Sequence, residues 1–224
     1  LGSVFAQGFS SNLGLVVSRS AKVSGENDTM AVPIDATVER ALFVVSLPTG
    51  GSVEVLRPSG SPVVKADADA TVSSWRLGRL LEVRSPAAGV WKLRVSGTGR
   101  YEVDVLAESR LQLASVRLAE EGGGFAHEGI YAGTGLPGSD APQPLLAALD
   151  GPYATVAFQL EGEGGDVLAP LDLSSEDPRL SESELLGEIE SPGKAYRVAA
   201  VGTDLSGNRF RRLYPTLFQP QPVT

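Results

Sequence analysis

Gly89-Val90-Trp91-Lys92-Leu93-Arg94-Val95-Ser96-Gly97-Thr98-Gly99-Arg100-Tyr101-Glu102-Val103-Asp104-Val105-Leu106 contains two alternating runs with glycines between them. Trp91, Leu93 and Val95 alternate with Lys92 and Arg94, and Tyr101, Val103 and Val105 alternate with Glu102 and Asp104. That is the period of two expected of half-buried strands. The spacing predicts a β-hairpin in which Val95 pairs with Tyr101 across Ser96 to Arg100. Arg94 then faces Glu102 and Lys92 faces Asp104, each pair stabilising by roughly 0.2 to 1 kcal/mol. A slip of one residue would turn Trp91, Leu93 and Val95 to water at roughly 1.5 to 3 kcal/mol per side chain, so the faces are well specified.

The same pattern of short apolar runs continues on both sides. Upstream, Thr29 to Pro33, Ala41 to Leu47, Ser52 to Arg57, Val63 to Lys65, Thr71 to Trp75 and Leu80 to Val83 read as strands, with Ala41 to Leu47 apolar enough for a central one. Downstream, strands are expected at Leu111 to Leu118, Gln143 to Leu149, Ala154 to Leu160, Val167 to Leu173, Leu185 to Ile189, Ala195 to Thr203 and Phe210 to Phe218. Gly202 to Asn208 then forms a hairpin loop between the last two strands, with Gly207 at positive φ. Glu120 to Pro142, rich in glycine and small polar residues, reads as a long mobile surface loop. Near the N-terminus, Ser10-Ser11-Asn12 can cap a brief helical turn carrying Leu13, Leu15, Val16 and Val17.

With 224 residues, 42% of them hydrophobic, the chain can bury two cores, and its 26 glycines and 15 prolines are scattered as turn punctuation. The expected fold is all-β: two consecutive antiparallel β-sandwiches, jelly-roll-like over 23–108 and fibronectin-III-like or Ig-like over 109–224. The short link Glu108 to Arg110 predicts that they sit end to end with restricted motion. A net charge of −8 argues against nucleic acid as a partner. Cysteine is absent, so there is neither a disulfide nor a thiolate nucleophile. No apolar run is long enough to be a transmembrane segment, and the first residues lack a signal-peptide layout, as expected of a mature or excised piece.

The segment from Gly89 to Val105 resembles the region that follows the von Willebrand factor type A domain in hemicentin-like extracellular proteins. Gln143 to Ala147, Leu168 to Leu171 with Asp177-Pro178-Arg179, and Tyr196 to Arg212 are similar in order and spacing to that family's second β-domain. Residues 1–22, with Gly2-Ser3-Val4-Phe5, resemble the closing strand and final helix of a preceding type A domain. The resemblance implies a non-enzymatic structural and interaction module, a stiff stalk or accessory region of a larger adhesion protein. It implies an extracellular or cell-surface location and a protein or glycan partner on the cell surface or in the matrix. The Asp-x-Ser-x-Ser metal motif of a type A domain is absent, so no metal site is carried over.

Candidate chemistry is sparse. His127 is the only histidine and stands in the glycine-rich stretch beside Glu128 without a Gly-x-Ser-x-Gly elbow, so a catalytic role is not expected. Glu161 and Glu163 flank Gly162 and read as surface acids, unsuited to the paired carboxyl groups of glycoside hydrolysis. For calcium, Glu26-Asn27-Asp28, Asp67 with Asp69, and Asp204 with Asn208 offer hard oxygens at loop spacing, yet turns favour these residues anyway. No cofactor is expected, and Asp67, Asp69 and Asp204 are the residues to inspect for calcium. Trp91 reads as core; Trp75, beside Ser73, Ser74 and Arg76, is a candidate for an exposed binding face, which would suit a carbohydrate-binding module, the alternative function. Arg209, Arg211 and Arg212 form the one basic cluster. They serve either an edge strand guarded by charge or a site for an acidic partner, with Phe210 and Arg212 sharing one face.

Overall fold

A computed structural model describes residues 13–48, 50–122, 129–132 and 142–220, and these are all-β. The decisive stretch does not form a hairpin. β7 (Gly89–Ser96) pairs with β2 (Asp28–Ile34) and β4 (Ser52–Leu56) in one sheet. β8 (Thr98–Ser109) pairs with β1 (Leu13–Ser24) and β3 (Val38–Ser46) in another. Gly97 alone separates β7 from β8. It and Gly99 have φ values of 128° and 130°, which side-chain-bearing residues avoid. A Cβ on Gly97 would also come within 2.9 Å of the Gly51 Cα. The chain therefore switches sheets where a hairpin would fold back on its neighbour.

The six apolar side chains nevertheless face inward, each no more than 1% exposed, because alternation specifies a face and leaves the neighbour open. Trp91, Leu93 and Val95 look across the sandwich toward the face carrying Tyr101, Val103 and Val105. The expected Arg94–Glu102 pair is replaced by Arg94–Glu54 at 2.9 Å, since β4 is the strand beside β7. Inside, the Trp91 ring lies 5.9 Å from that of Phe43, and its indole N–H donates to the Ala87 carbonyl at 2.9 Å. β3 is central, as expected, with Leu42 and Phe43 on opposite faces and both buried.

The first unit stacks β1-β8-β3-β6-β5 against β2-β7-β4, with β5 (Ala70–Trp75) and β6 (Gly78–Arg84) forming an edge hairpin. Val63 to Lys65 is no strand; Pro62 only bridges Leu56. The second unit sets β13-β12-β15-β16 against β10-β9-β11-β14. Its strands are β9 (Gln112–Gly122), β10 (Gly129–Ala132), β11 (Gln143–Asp150), β12 (Thr155–Glu161), β13 (Val167–Leu171), β14 (Glu184–Ile189), β15 (Arg197–Thr203) and β16 (Arg209–Leu213). Two apolar clusters result, one running from Val16 to Ala107 and one from Leu111 to Phe218.

Four further expectations are corrected. The helical turn expected to carry Leu13, Leu15, Val16 and Val17 is instead the start of β1, which is paired along its length with β8. A bulge between Leu15 and Val17 buries Val16 and Val17 together, which breaks the alternation a strand normally shows. Gly129–Ala132, inside the stretch expected to be a loop, is a strand paired with β9; the rest of 123–141, with His127 and Glu128, lies outside the described residues. Finally, β16 is not an edge. It lies between β15 and β1, with Leu15 opposite Leu213, so one nine-stranded sheet runs through both units. They join edge to edge along this sheet, where an end-to-end stack was expected.

Candidate functional site

At the seam between the units the turn Asp35-Ala36-Thr37, between β2 and β3, meets β16. Arg212 is 1% exposed and Asp35 fully buried, with 2.7 Å between guanidinium and carboxylate. Arg212 also donates to the Ser109 hydroxyl at 2.8 Å, to the Leu111 carbonyl at 2.7 Å and to the Arg211 carbonyl at 2.9 Å. Asp35 in turn accepts from the Thr37 backbone N–H at 3.0 Å and from the Thr37 hydroxyl. Burial pushes the Arg212 guanidinium below its ordinary pKa, and the Asp35 charge opposes that shift. Breaking such a pair strands a buried charge, at about 3 to 5 kcal/mol.

A second tie runs the other way. The loop between β15 and β16 is the hairpin the sequence predicts, and Gly207 has a φ of 81°. Asp204 holds it together: one carboxylate oxygen accepts from the Ser206 and Asn208 backbone N–H groups, both at 2.8 Å. The other oxygen accepts from the Ala36 N–H at 2.8 Å, across the seam. Burial alone would raise the Asp204 pKa; the donors from Ala36, Asn208 and Ser206 outweigh it and hold the group below its ordinary value.

These contacts relocate several residues singled out from sequence. Arg212 belongs to no surface cluster; it is an interior residue. Arg211 pairs with Glu161, which is 2% exposed and so no surface acid, while Gln159 donates to the same carboxylate at 2.7 Å. Arg209 is exposed. Asp67 and Asp69 converge on Arg57, which reaches Asp67 at 2.9 Å and both Asp69 oxygens at 2.8 Å. The guanidinium therefore stands where a cation would be held. The Asp67 pKa is lowered by the Val64 backbone N–H and then by Arg57, and that of Asp69 by Arg57 first. Asp28 is likewise engaged, by Arg19 at 2.9 Å and by the Tyr101 hydroxyl. Among the described residues no three carboxylate or imidazole side chains gather as metal ligands do.

Trp75 and Leu77 flank Arg76 at the tip of the β5–β6 hairpin and are 48% and 45% exposed. The indole lies across Gly78, where a Cβ would stand 2.4 Å from the ring. Four strands of the shared sheet separate Trp75 from the arginines of β16, so the candidate binding residues do not form one site. Beside the seam, a cleft of about 540 Å³ runs between Ala31, Pro33 and Val90 of the first unit and Val156, Thr203 and Arg209 of the second. Sequence reasoning missed Asp35, Thr37 and Ser109. The available signal was the alternation of β16, which puts Arg212 on the Phe210 face.

Residues 15–110 match the family model of the hemicentin galactose-binding domain-like family. The matched span corresponds closely to β1 through β8, the first sandwich, and leaves the second outside it. Position after a type A domain is not part of this match. No curated protein matches the chain. Among solved structures, Bacillus licheniformis lipase BlEst2 in its propeptide form is similar at 14% identity and a TM-score of 0.42, over 94% of this chain and 44% of that one. The Ig1-2 module of the Drosophila receptor protein tyrosine phosphatase DLAR is similar at 12% identity and a TM-score of 0.24, over 88% of this chain and 99% of that one. This chain thus spans less than half the length of the lipase, and likenesses this loose carry no argument about its activity. Among the described residues no helix is long and apolar enough to cross a membrane.

Proposed function

We propose that the chain is a non-enzymatic extracellular interaction module in which two β-sandwiches act as one rigid body. The observation that carries this reading is the buried Arg212–Asp35 pair with its Ser109 and Leu111 partners. A flexible linker would leave the relative orientation of the two sandwiches free. Here a desolvated ion pair, the Asp204–Ala36 hydrogen bond and a shared sheet all penalise bending at the seam. The similarity of residues 15–110 to hemicentin galactose-binding-like domains supports an extracellular setting and a protein or glycan partner. Asp28, Asp35, Asp67, Asp69, Glu161 and Asp204 are engaged by arginines or backbone N–H groups, as suits structure more than proton transfer. Because Leu15 and Leu213 are neighbours, the first and last of the described strands meet at the seam. The rigid pair would serve as a stalk or accessory region of a larger adhesion protein.

The test is NMR relaxation. Amides of the two units should report one rotational correlation time, and Arg212→Ala should split it in two. Independent tumbling of the units in the wild-type chain would sink the reading. The half-exposed Trp75 favours a second reading, carbohydrate binding at the β5–β6 tip. A glycan array on which wild type and Trp75→Ala give the same signals would remove it.

A further inference from the structure

Every sheet edge must be kept from pairing with other chains, and native edges use charge, proline, bulges, short length or a covering segment. β13 has Pro170 and a register shift opposite Leu160 and Glu161. β2 has Asp28 and Pro33, and β4 has Glu54 and is covered where the Val63 N–H donates to the Val55 carbonyl at 2.8 Å. β14 has Glu184 and Glu188, and its Leu186 exchanges two backbone hydrogen bonds with Ser174. β10 is four residues long. β5 is covered only at its start, where the Ala70 N–H donates to the Asp67 carbonyl at 3.2 Å. Its sequence, Ala70-Thr-Val-Ser-Ser-Trp75, has no charge and no proline, and it pairs with β6 from Ala70–Val83 to Trp75–Gly78 without a register shift. Among the described residues no strand lies on its outer side.

We infer that β5 is a docking edge for a second copy of this chain, the two strands pairing antiparallel about a two-fold axis at Ser73. Antiparallel strands alternate the direction of their N–H and C=O groups, so β5 presents alternate donors and acceptors outward to an identical strand. With Ser73 opposite Ser73, Thr71 of each copy faces Trp75 of the other, on the exposed face that these side chains already share. The strand is also bracketed by charge in a self-complementary way. Asp67 and Asp69 at one end share the single Arg57 guanidinium, and the exposed Arg76 follows the other end. Antiparallel pairing brings the Arg76 end of each copy to the end of the other where Asp69 stands, its side chain 42% exposed. On a chain of net charge −8, an edge strand without a charged residue lets a second copy approach without like charges meeting along it. Six residues of edge bury less than the roughly 1,000 Å² typical of stable interfaces, so the dimer forms and dissociates with concentration.

Sedimentation velocity over a concentration series tests this. The wild-type average mass should rise from 23.3 kDa toward twice that value. Ser73→Lys and Ser73→Glu, each placing like charges opposite at an exposed position, should stay monomeric while melting as the wild type does. Mixing the two variants in equal amounts should restore the dimer. A wild type that stays monomeric up to its solubility limit overturns the inference. So does a Ser73→Lys chain that dimerises like the wild type.

Discussion

The links β7–β8 and β15–β16 read alike in sequence, as two alternating runs around glycines, yet only the second is a hairpin. Between β15 and β16 five residues intervene, and Asp204 caps the turn they make. Between β7 and β8 there is one residue, too few to reverse the chain beside itself, and its φ of 128° carries the strand across to the facing sheet. Side-chain alternation is identical in the two cases because it reports which way residues point. Hydrogen-bond partnership depends on the connection, and a one-residue glycine link is a signal of its own.

The largest effect expected on the β7–β8 side is that of Trp91→Ala, about 3 to 5 kcal/mol in a denaturant melt, the range for truncating a large buried aromatic. On the β15–β16 side, Arg212→Met should cost about as much, 3 to 5 kcal/mol, by stranding Asp35. Adding Asp35→Asn to Arg212→Met should recover most of that loss, which separates the stranded charge from lost packing. Next come the glycines themselves. Gly97→Ala forces a side chain into a glycine-only φ and against the Gly51 backbone, at about 3 kcal/mol. Gly207→Ala has a φ of 81° but open space around it, and should cost only about 1 to 2 kcal/mol. Equal losses at Gly97 and Gly207 would erase the distinction between sheet switch and hairpin.

The smallest effect is one of pH. The folded-state pKa of Asp204 lies below its ordinary 3.8, so the stability it contributes is present above that value and is lost as pH falls through the lowered one. Thermal melts of wild type and Asp204→Asn should therefore differ at pH 5 and converge toward pH 2. A gap that widens with acid would mean that the loop is held by something other than the ionised carboxylate.

These residues also show what the sequence made legible. The inward faces of both links, most strand positions and the loop at Gly207 follow from periodicity and turn chemistry, because local backbone sterics govern them. β1 was hidden because its bulge puts Val16 and Val17 on one side, giving a spacing that mimics a helix turn. Arg212 was on the right face and still misread, since arginine is so seldom fully buried that composition outweighed alternation. Asp67 and Asp69 looked like cation ligands because their partner, Arg57, lies ten residues upstream of Asp67, where no motif joins them. Glu161 looked exposed for its neighbouring glycine, while its partner sits fifty residues away in β16.

The pairing of Leu15 with Leu213 has a mechanical consequence. Tension applied between Leu13 and Tyr214 would act where β1 and β16 are adjacent. Antiparallel neighbours pulled apart from the same end are peeled, not sheared, and here Leu15–Leu213 is the one backbone pair to peel among the described residues. The β1–β16 seam would then yield before either core, so that the two sandwiches part while each remains folded.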